Sequence, residues 1–419
     1  MSPPSVAVVG GGVVGLACAW ELQRGGAAVT VLERGEIGGG VSWGNTGWVV
    51  PSMAAPLPAP GMVREGLRQL VTRGEAFVLR PSVDPSFVRW LWRFRRSCAP
   101  ARFDAGVRAM LALNRRTLEL FDEYRAAGVE FEMHATGLVI VARTAAGLHH
   151  YRDIFQRLRS LGYEGGEPDE LDGPALVRLE PALDPDGVAA GLHARVDRYV
   201  EPRSLTGGLA AALRAAGVRF EERREVLGLE RRGGSWVVST SSEEVAADRV
   251  VVAAALESER LLRGFGLRVA MQPARGYSVT LPGTGTPPRH ALYLAEARLG
   301  LSPYAQGVRV AGVFELGESR PEAPAGAGER LLAAARPYLS GWRPDADGAV
   351  ETWAGLRPAT ADGLPLIGEL PGSPGLFVAS GHGMLGVTLA PATAALLAPV
   401  VLGGVPPPEL APFEPGRVS

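Results

Sequence analysis

Three glycines with the spacing Gly10-x-Gly12-x-x-Gly15, a carboxylate at Glu33, an arginine among apolar residues at Arg357 and a histidine in the turn Gly381-His382-Gly383 could carry chemistry in this chain of 419 residues. Glycine lets a turn approach a phosphate closely. A helix that starts at such a turn aims free N–H groups and the positive end of its dipole at the same place. A carboxylate about 20 residues further on can accept both hydroxyls of a ribose. A guanidinium in apolar surroundings needs an anion: a bidentate ligand carboxylate satisfies it well, and so does an internal ion pair, for instance with Asp362. His382 either donates a hydrogen bond to a ligand or is a turn histidine satisfied by the fold.

The elements needed to position the glycines are present in the pattern. Val6-Ala7-Val8-Val9 is an apolar run of buried-strand length that ends at the glycines. Leu16, Ala17, Ala19, Trp20 and Leu22 continue as an apolar helix that Gly25-Gly26 can end, and residues 28–32 form a second strand reaching Glu33. Together they make one βαβ unit, a context that favours a dinucleotide over a mere glycine-rich turn. The glycine-rich segment 38–48 follows, with Ser42, Asn45, Thr46, Gly47 and two tryptophans, Trp43 and Trp48. Such a segment can run beside a pyrophosphate or a ring system. The alternative is a flexible surface loop, against which the tryptophans speak, since they would have nothing to cover.

Composition bounds the rest. With 46% hydrophobic and 21% charged residues, a chain of this length reads as a globular protein of two domains that can bury a large cofactor. A net charge of −1, from 43 basic and 44 acidic residues, gives no global electrostatic case for nucleic acid or an anionic membrane. There is no lysine, which excludes Schiff-base chemistry, lysine-linked pyridoxal phosphate and a phosphate-loop lysine. Cys18 and Cys98 have neither metal-like spacing nor a disulfide framework, so no metal site is expected, and a cytoplasmic location is the simplest expectation.

Residues 51–60, rich in proline, read as an extended crossing between domains. The run from Phe87 through Trp90 to Arg96 is either a core helix with solvated arginines, the preferred reading, or a short interfacial helix touching a membrane or a partner subunit. Helical patterns cover 110–127, 145–161 and 202–216, with a strand at 137–142, a small meander over 226–240 and a buried parallel strand at 248–255. Residues 268–314 alternate as in an antiparallel sheet. A strand at 376–380 runs into the Gly381–Gly386 turn, and the apolar helix after it contains Pro391 and Pro399, which argues for burial rather than a membrane span. The expected fold class is α/β. A doubly wound, Rossmann-like nucleotide domain of residues 1–55, 197–265 and 345–419 is interleaved with an α+β domain of residues 56–196 and 266–344 that contains the antiparallel sheet.

The segments VAVVGGGVVGLACAWELQRGGAAVTVLER, Ser42-x-x-Asn45-x-Gly47, Pro273-Ala274-Arg275-Gly276-Tyr277-Ser278, Gly355-Leu356-Arg357-Pro358 and Gly381-His382-Gly383-x-Leu385-Gly386 resemble the FAD-dependent D-amino-acid oxidase superfamily. The likeness is strongest to bacterial D-amino-acid dehydrogenases of the small-subunit type, including Arg89-Trp90-Leu91-Trp92, while residues 389–393 look more like glycine oxidases. The resemblance implies non-covalent FAD. It puts Gly10, Gly12, Val14 and Gly15 at the pyrophosphate, Glu33 at the ribose, and Arg34 and Val226 near the adenine. Ser42, Asn45, Thr46, Gly47 and Trp48 would border the pyrophosphate and flavin. Gly381, His382, Gly383, Met384, Leu385, Gly386 and Thr388 would approach the pyrimidine edge of the flavin. Arg357 looks like the carboxylate-binding arginine, Tyr277 lies in the strand expected to face the substrate, and His382 joins them at the reaction site. Two departures stand out: Ala255 where the family usually has glycine, and Arg275 where the dehydrogenases more often have lysine.

The implied reaction oxidises the Cα–N bond of a D-amino acid or cyclic imino acid. A hydride passes to flavin N5, and water hydrolyses the resulting imine to a keto acid when the amine is primary. Orientation of the α-hydrogen and stabilisation of the reduced flavin suffice, which agrees with the lack of an obvious catalytic dyad. Two other readings compete: an amine oxidoreductase specific to a larger pathway substrate, and a non-catalytic flavoprotein subunit of a multi-subunit dehydrogenase. The electron acceptor would be oxygen, a quinone or a partner flavoprotein, and a place at the periphery of the inner membrane is the alternative to a purely cytoplasmic one.

Overall fold

The computed structural model describes residues 3–64, 77–80, 82–267, 271–345 and 351–418. Alternation in the strand Ser5–Val9 decides the layering of the nucleotide part: Val6 and Val8 point to one face, Ala7 and Val9 to the other, and all four are buried. A strand covered on both faces belongs in the interior of a sheet, and this one pairs in parallel with Ala28–Leu32 and with Arg249–Val252. The six-stranded order is Arg219–Glu221, Ala28–Leu32, Ser5–Val9, Arg249–Val252, Leu376–Ser380 and Leu366–Glu369. Only the last strand runs antiparallel to its neighbour. Val6 and Val8 share a core with the helices Val13–Arg24, Pro202–Ala215 and Gly386–Val401. Ala7 and Val9 pack instead against Trp236 and Val238 of a three-stranded meander, Val226–Arg232, Ser235–Thr240 and Glu244–Ala247. The α/β expectation holds, with one refinement: the second covering layer is mostly this meander.

A nine-stranded mixed sheet carries the other part. Its order is Glu351–Ala359, Gln272–Leu281, Gly307–Leu316, Leu299–Tyr304, Ala291–Leu294, Leu138–Ala142, Ala190–Ala194 and Asp169–Asp172, with Phe77–Leu79 joined to Gly307–Leu316. The stretch expected to be antiparallel, 268–314, has its first three residues outside the described ones, and the strands after them do pair antiparallel with one another. One expected boundary is corrected. Residues 351–359, read as part of the nucleotide domain, pair along their whole length with Gln272–Leu281, from Glu351 opposite Thr280 to Ala359 opposite Gln272. The period-two placement of Trp353, Gly355 and Arg357 marks a strand with a working face.

The segment around Trp90 is a helix with one face in the core, as the preferred reading has it, and one face exposed. Asp84 caps the helix Pro85–Ser97 by accepting from the Ser86 N–H at 2.7 Å, and Phe87, Trp90 and Phe94 are buried on one face. The indole N–H of Trp90 donates to the carbonyl of Ala359 at 2.9 Å. The opposite face leaves Val88, Leu91 and Trp92 at 54%, 40% and 55% exposure, with Arg89, Arg95 and Arg96 around them. Among the described residues no helix is long and apolar enough to cross a membrane.

Candidate active site

The glycine turn is fixed by close backbone approach. Gly10 has φ 110°, and a side chain there would overlap the carbonyl of Ala253; one at Gly15 would overlap the carbonyl of Gly10. These two glycines let helix and strand touch. Gly12 is the N-cap of the helix Val13–Arg24 and supplies no side-chain cap, so the helix end stays open to a ligand, apart from the Val13 N–H donating to Ser42 Oγ at 3.2 Å. The Glu33 carboxylate fastens the turn from the next strand, accepting from the Gly11 N–H at 2.8 Å and the Gly35 N–H at 2.9 Å. Each carboxylate oxygen keeps a lone pair for a hydroxyl. Val14, Arg34, Val226, Gly381, Gly383 and Gly386 line the same groove.

The groove's outer end holds residues that motif reading did not single out. Arg260 donates to the carbonyl of Val226 at 3.1 Å and to the Glu257 carboxylate at 2.8 Å, and Arg34 stands 3.8 Å from Glu257. The spacing Glu257-x-x-Arg260 on a helix was the available signal. Ala255, flagged for standing in place of glycine, takes a left-handed φ of 49° while its carbonyl accepts from Ser380 Oγ at 2.8 Å.

The segment 38–48 is not a loose loop. Asn45 Oδ1 accepts from the Gly47 N–H at 2.7 Å, and Gly47, at φ 68°, turns against the carbonyl of Val200 and lines neither cavity, contrary to its expected place beside the cofactor. Trp43 donates to Glu351 at 2.9 Å and Trp48 to Ser302 at 3.0 Å, so both indoles bind the large sheet. Arg309, fully buried, donates to the carbonyl of Asn45 at 2.8 Å, to Thr280 Oγ1 at 2.9 Å and to Glu201 at 3.2 Å. Thr388, expected at the flavin, gives its hydroxyl to the carbonyl of Trp48 at 2.8 Å.

A second cavity opens between the large sheet and the segments 41–62 and 383–388, and Val41, Asn45 and Gly383 line both it and the groove. Arg357 lies on its floor. Gly276 sits cross-strand beside Gly355, and a side chain at Gly276 would occupy the space of the Arg357 guanidinium; Trp353 folds over Gly355 in the same way. Arg357 Nη1 donates to the carbonyl of Val313 at 3.0 Å. That carbonyl is presented by a bulge, where the register passes from Arg275 opposite Glu315 to Tyr277 opposite Gly312 and Val313 adopts φ 62°. The internal ion pair considered for Arg357 does not form, because Asp362 is held by Arg417 at 2.9 Å. Burial pulls the Arg357 guanidinium down to about 10, still a cation at neutral pH. Thr46, Trp48, Met384 and Leu385 line this cavity with Leu57, Met62 and Phe314.

Two expected reaction-site residues are placed differently. Tyr277 touches the cavity wall, but it pairs with Ala354, one residue out of phase with Gly355 and Arg357. Its ring therefore packs on the other face of the sheet with Val279 and Leu331, and burial, with Glu315 adding, raises its hydroxyl. His382 lines the groove and not the Arg357 cavity, with Nε2 at 3.0 Å from Thr393 Oγ1. Burial pulls the imidazole down to about 4, so it is neutral at physiological pH and matches the turn-histidine reading.

An open helix end at a glycine turn, an acid on the neighbouring strand and a groove continuous with an apolar cavity are what a flavin dinucleotide requires. The chain belongs to the FAD dependent oxidoreductase family, whose model matches residues 5–399. FAD is thus the cofactor. Over nearly its whole length the chain is similar to the D-amino acid dehydrogenase of Cereibacter sphaeroides, at 32% identity over 97% of this chain and 93% of that one. It is also similar to D-amino acid dehydrogenase 2 of Ralstonia nicotianae, at 30% identity over 98% and 100% of the two chains. The crystal structure of glycine oxidase from Geobacillus kaustophilus shares the fold, with a TM-score of 0.74 at 24% identity, covering 100% of this chain and 99% of that one.

Proposed function

We propose that the protein oxidises the Cα–N bond of a D-amino acid. The observation that carries this reading is Arg357: a desolvated guanidinium at a cavity continuous with the cofactor groove, bonded to a carbonyl and, among the described residues, to no carboxylate. The names of the curated relatives support the substrate class. FAD, when bound, takes two electrons and the α-hydrogen as a hydride; the amine gives up a proton, and water turns the imine into a keto acid and ammonia. Arg357 would fork the α-carboxylate and so set the α-carbon, with the glycines beneath it keeping the fork flat on the sheet. Trp353, Phe314 and Leu385 would exclude water. The uncapped start of the helix Gly386–Val401 offers its dipole to developing negative charge. His382 is a positioning residue, holding the Gly381–Gly386 turn to that helix through Thr393.

The test is Arg357→Lys and Arg357→Ala with FAD content retained, measuring flavin reduction by an amino acid and by the matching amine without the carboxylate. Loss of a bidentate ion pair in a shielded site should cost roughly 2–5 kcal/mol, or about 30- to 5000-fold in efficiency, for the amino acid alone. Lysine should rescue little. Parallel loss for both substrates, or no loss, would make Arg357 structural and put the larger-amine reading ahead.

A second observation bears on the electron acceptor. The exposed Val88, Leu91 and Trp92 among arginines on the helix Pro85–Ser97 form a face suited to an anionic lipid surface, where a quinone would be at hand. Co-sedimentation with anionic but not neutral vesicles, lost on Leu91→Glu with Trp92→Glu, would support it; equal recovery in the supernatant with both would discard it.

A further inference from the structure

Asp197 is a fully buried acid that the proposed reaction leaves without a role. Its carboxylate accepts from the N–H of Ser52 at 3.3 Å and from the Ser52 hydroxyl, and Ser52 is itself fully buried. The arginines near it in the chain are engaged elsewhere, Arg195 with Asp169 and Arg198 with Asp122 at 2.6 Å, and Tyr163 is a titratable group that feels its charge. Its main chain is rooted in the large sheet: the Gly137 N–H donates to its carbonyl at 3.1 Å, and its own N–H to the carbonyl of Ala194 at 3.3 Å. Burial pushes the carboxyl up to about 7, against the pull of the two Ser52 hydrogen bonds. A neutral residue would fill this place with less loss of stability, so the acid indicates a use for its hold on Ser52.

Ser52 stands at the start of the proline-rich segment that forms one wall of the Arg357 cavity. From Ser52 to Pro58 every second residue is buried, and Met53 and Leu57 between them line the cavity together with Met62. The segment is held at both ends. At its root the Val50 N–H donates to Thr388 Oγ1 at 3.3 Å, and Ser52 is fastened to Asp197. Further on, Pro56 and Pro58 press against Gly106 and Gly363, where a side chain would come within 2.8 Å of a proline ring. Prolines at 51, 56, 58 and 60 fix φ along this stretch, so it moves as a stiff piece, and a shift at Ser52 reaches Met53 and Leu57. The three residues that this segment presents to the cavity are apolar, and methionine adapts to varied shapes.

We propose that Asp197 is a positioning residue for the substrate's side chain: through Ser52 it fixes the wall of Met53, Leu57 and Met62 against which an apolar side chain lies. This rests on the amino-acid reading of the site, and the experiment separates the two. Enzyme loaded with FAD is mixed without oxygen with D-phenylalanine and D-alanine, and is titrated separately with unreactive phenylpropionate and propionate while the flavin absorption spectrum is followed. Asp197→Ala should weaken apparent binding of phenylalanine about tenfold more than that of alanine, with limiting rates of flavin reduction within about twofold of the wild type. Phenylpropionate should weaken against propionate by the same factor. Asp197→Asn, whose amide still accepts from Ser52, should show a smaller selective loss of about threefold. Met53→Ala should reproduce the selective loss, and adding Asp197→Ala to it should bring little more, because both act on one wall. Stability separates this role from a merely structural one. The raised carboxyl lowers stability as pH rises from 3.8 to about 7, so above pH 7 Asp197→Asn should melt no lower than the wild type. Should the alanine variant fold poorly, the asparagine and Met53 variants give the same comparison. Equal losses for the two side chains, no loss, or a lower melting point in Asp197→Asn overturns the inference while leaving the amino-acid reading intact. If no amino acid reduces the flavin, the oxidation reading falls; a preference for phenylpropionate that depends on Asp197 would still uphold the wall.

Discussion

In the nucleotide groove the helix end leaves main-chain N–H groups open at the glycine turn, and the glycines there are required because backbone touches backbone. In the Arg357 cavity a long side chain reaches over a stretch of sheet cleared by Gly276 and Gly355. Glycine does opposite work in the two places. In the first it lets the fold close; in the second it makes room for a movable group. A site made of main chain tolerates no added atom, whereas one made of side chains can lose its function and keep its fold.

The same substitution made in both regions gives the largest contrast. Gly15→Ala forces a methyl into the carbonyl of Gly10, with only backbone to yield, and should cost roughly 3–5 kcal/mol of stability with loss of FAD retention. Urea unfolding and acid-released FAD measure both; a stable yellow Gly15→Ala protein would break the comparison at its main-chain end. Next in size is a pH effect at the seam. The folded-state value of His382 lies near 4, below its ordinary 6.5, so its contribution is complete above pH 6.5 and is lost as pH falls through 4. Stability should decline by roughly 3 kcal/mol across that window, and His382→Gln should flatten the limb. An unchanged acid limb in the variant would assign the decline to other groups.

Gly276→Ala is the counterpart of Gly15→Ala. Its methyl meets the far end of the Arg357 side chain, so stability should stay within about 1 kcal/mol while kcat/KM for the substrate falls about 10- to 30-fold, and FAD content is unchanged. If it unfolds like Gly15→Ala, the side-chain description of the cavity is wrong. The smallest effect sharpens the groove side: Ala255→Gly removes a strained φ of 49° and should gain about 0.5–1 kcal/mol in thermal unfolding, whereas a loss would mean that the methyl packs usefully.

The difference between the regions also explains what could be read from the sequence. Main-chain geometry leaves a local record, because a turn that needs no Cβ at Gly10 and Gly15 must show glycine there, and the acid at Glu33 follows at strand distance. Arg357 was recognisable by type, but its partner was not. Asp362 is five residues away along the chain, and the fold brings Arg417 to it from near the carboxyl end. Tyr277 touches the cavity wall, but its ring lies on the face opposite Arg357, because one residue of register moves a side chain to the other face of a sheet. Arg309 passed unnoticed because its meaning depends on which strands and segments become neighbours. The Glu351–Ala359 strand was given to the wrong sheet for the same reason.

Arg309 is rooted in the large sheet, yet it holds the carbonyl of Asn45 in the segment that borders the groove. Unfolding either part breaks that buried attachment and strands the Glu201 carboxylate without its cation. The two parts are thereby tied by one buried attachment, and a single cooperative transition is the expected outcome. Ligand binding to the native state raises the whole chain's stability by mass action. Loading with FAD should therefore shift a single melting transition upward, with the large sheet gaining protection from amide exchange although it contributes few atoms to the cofactor groove.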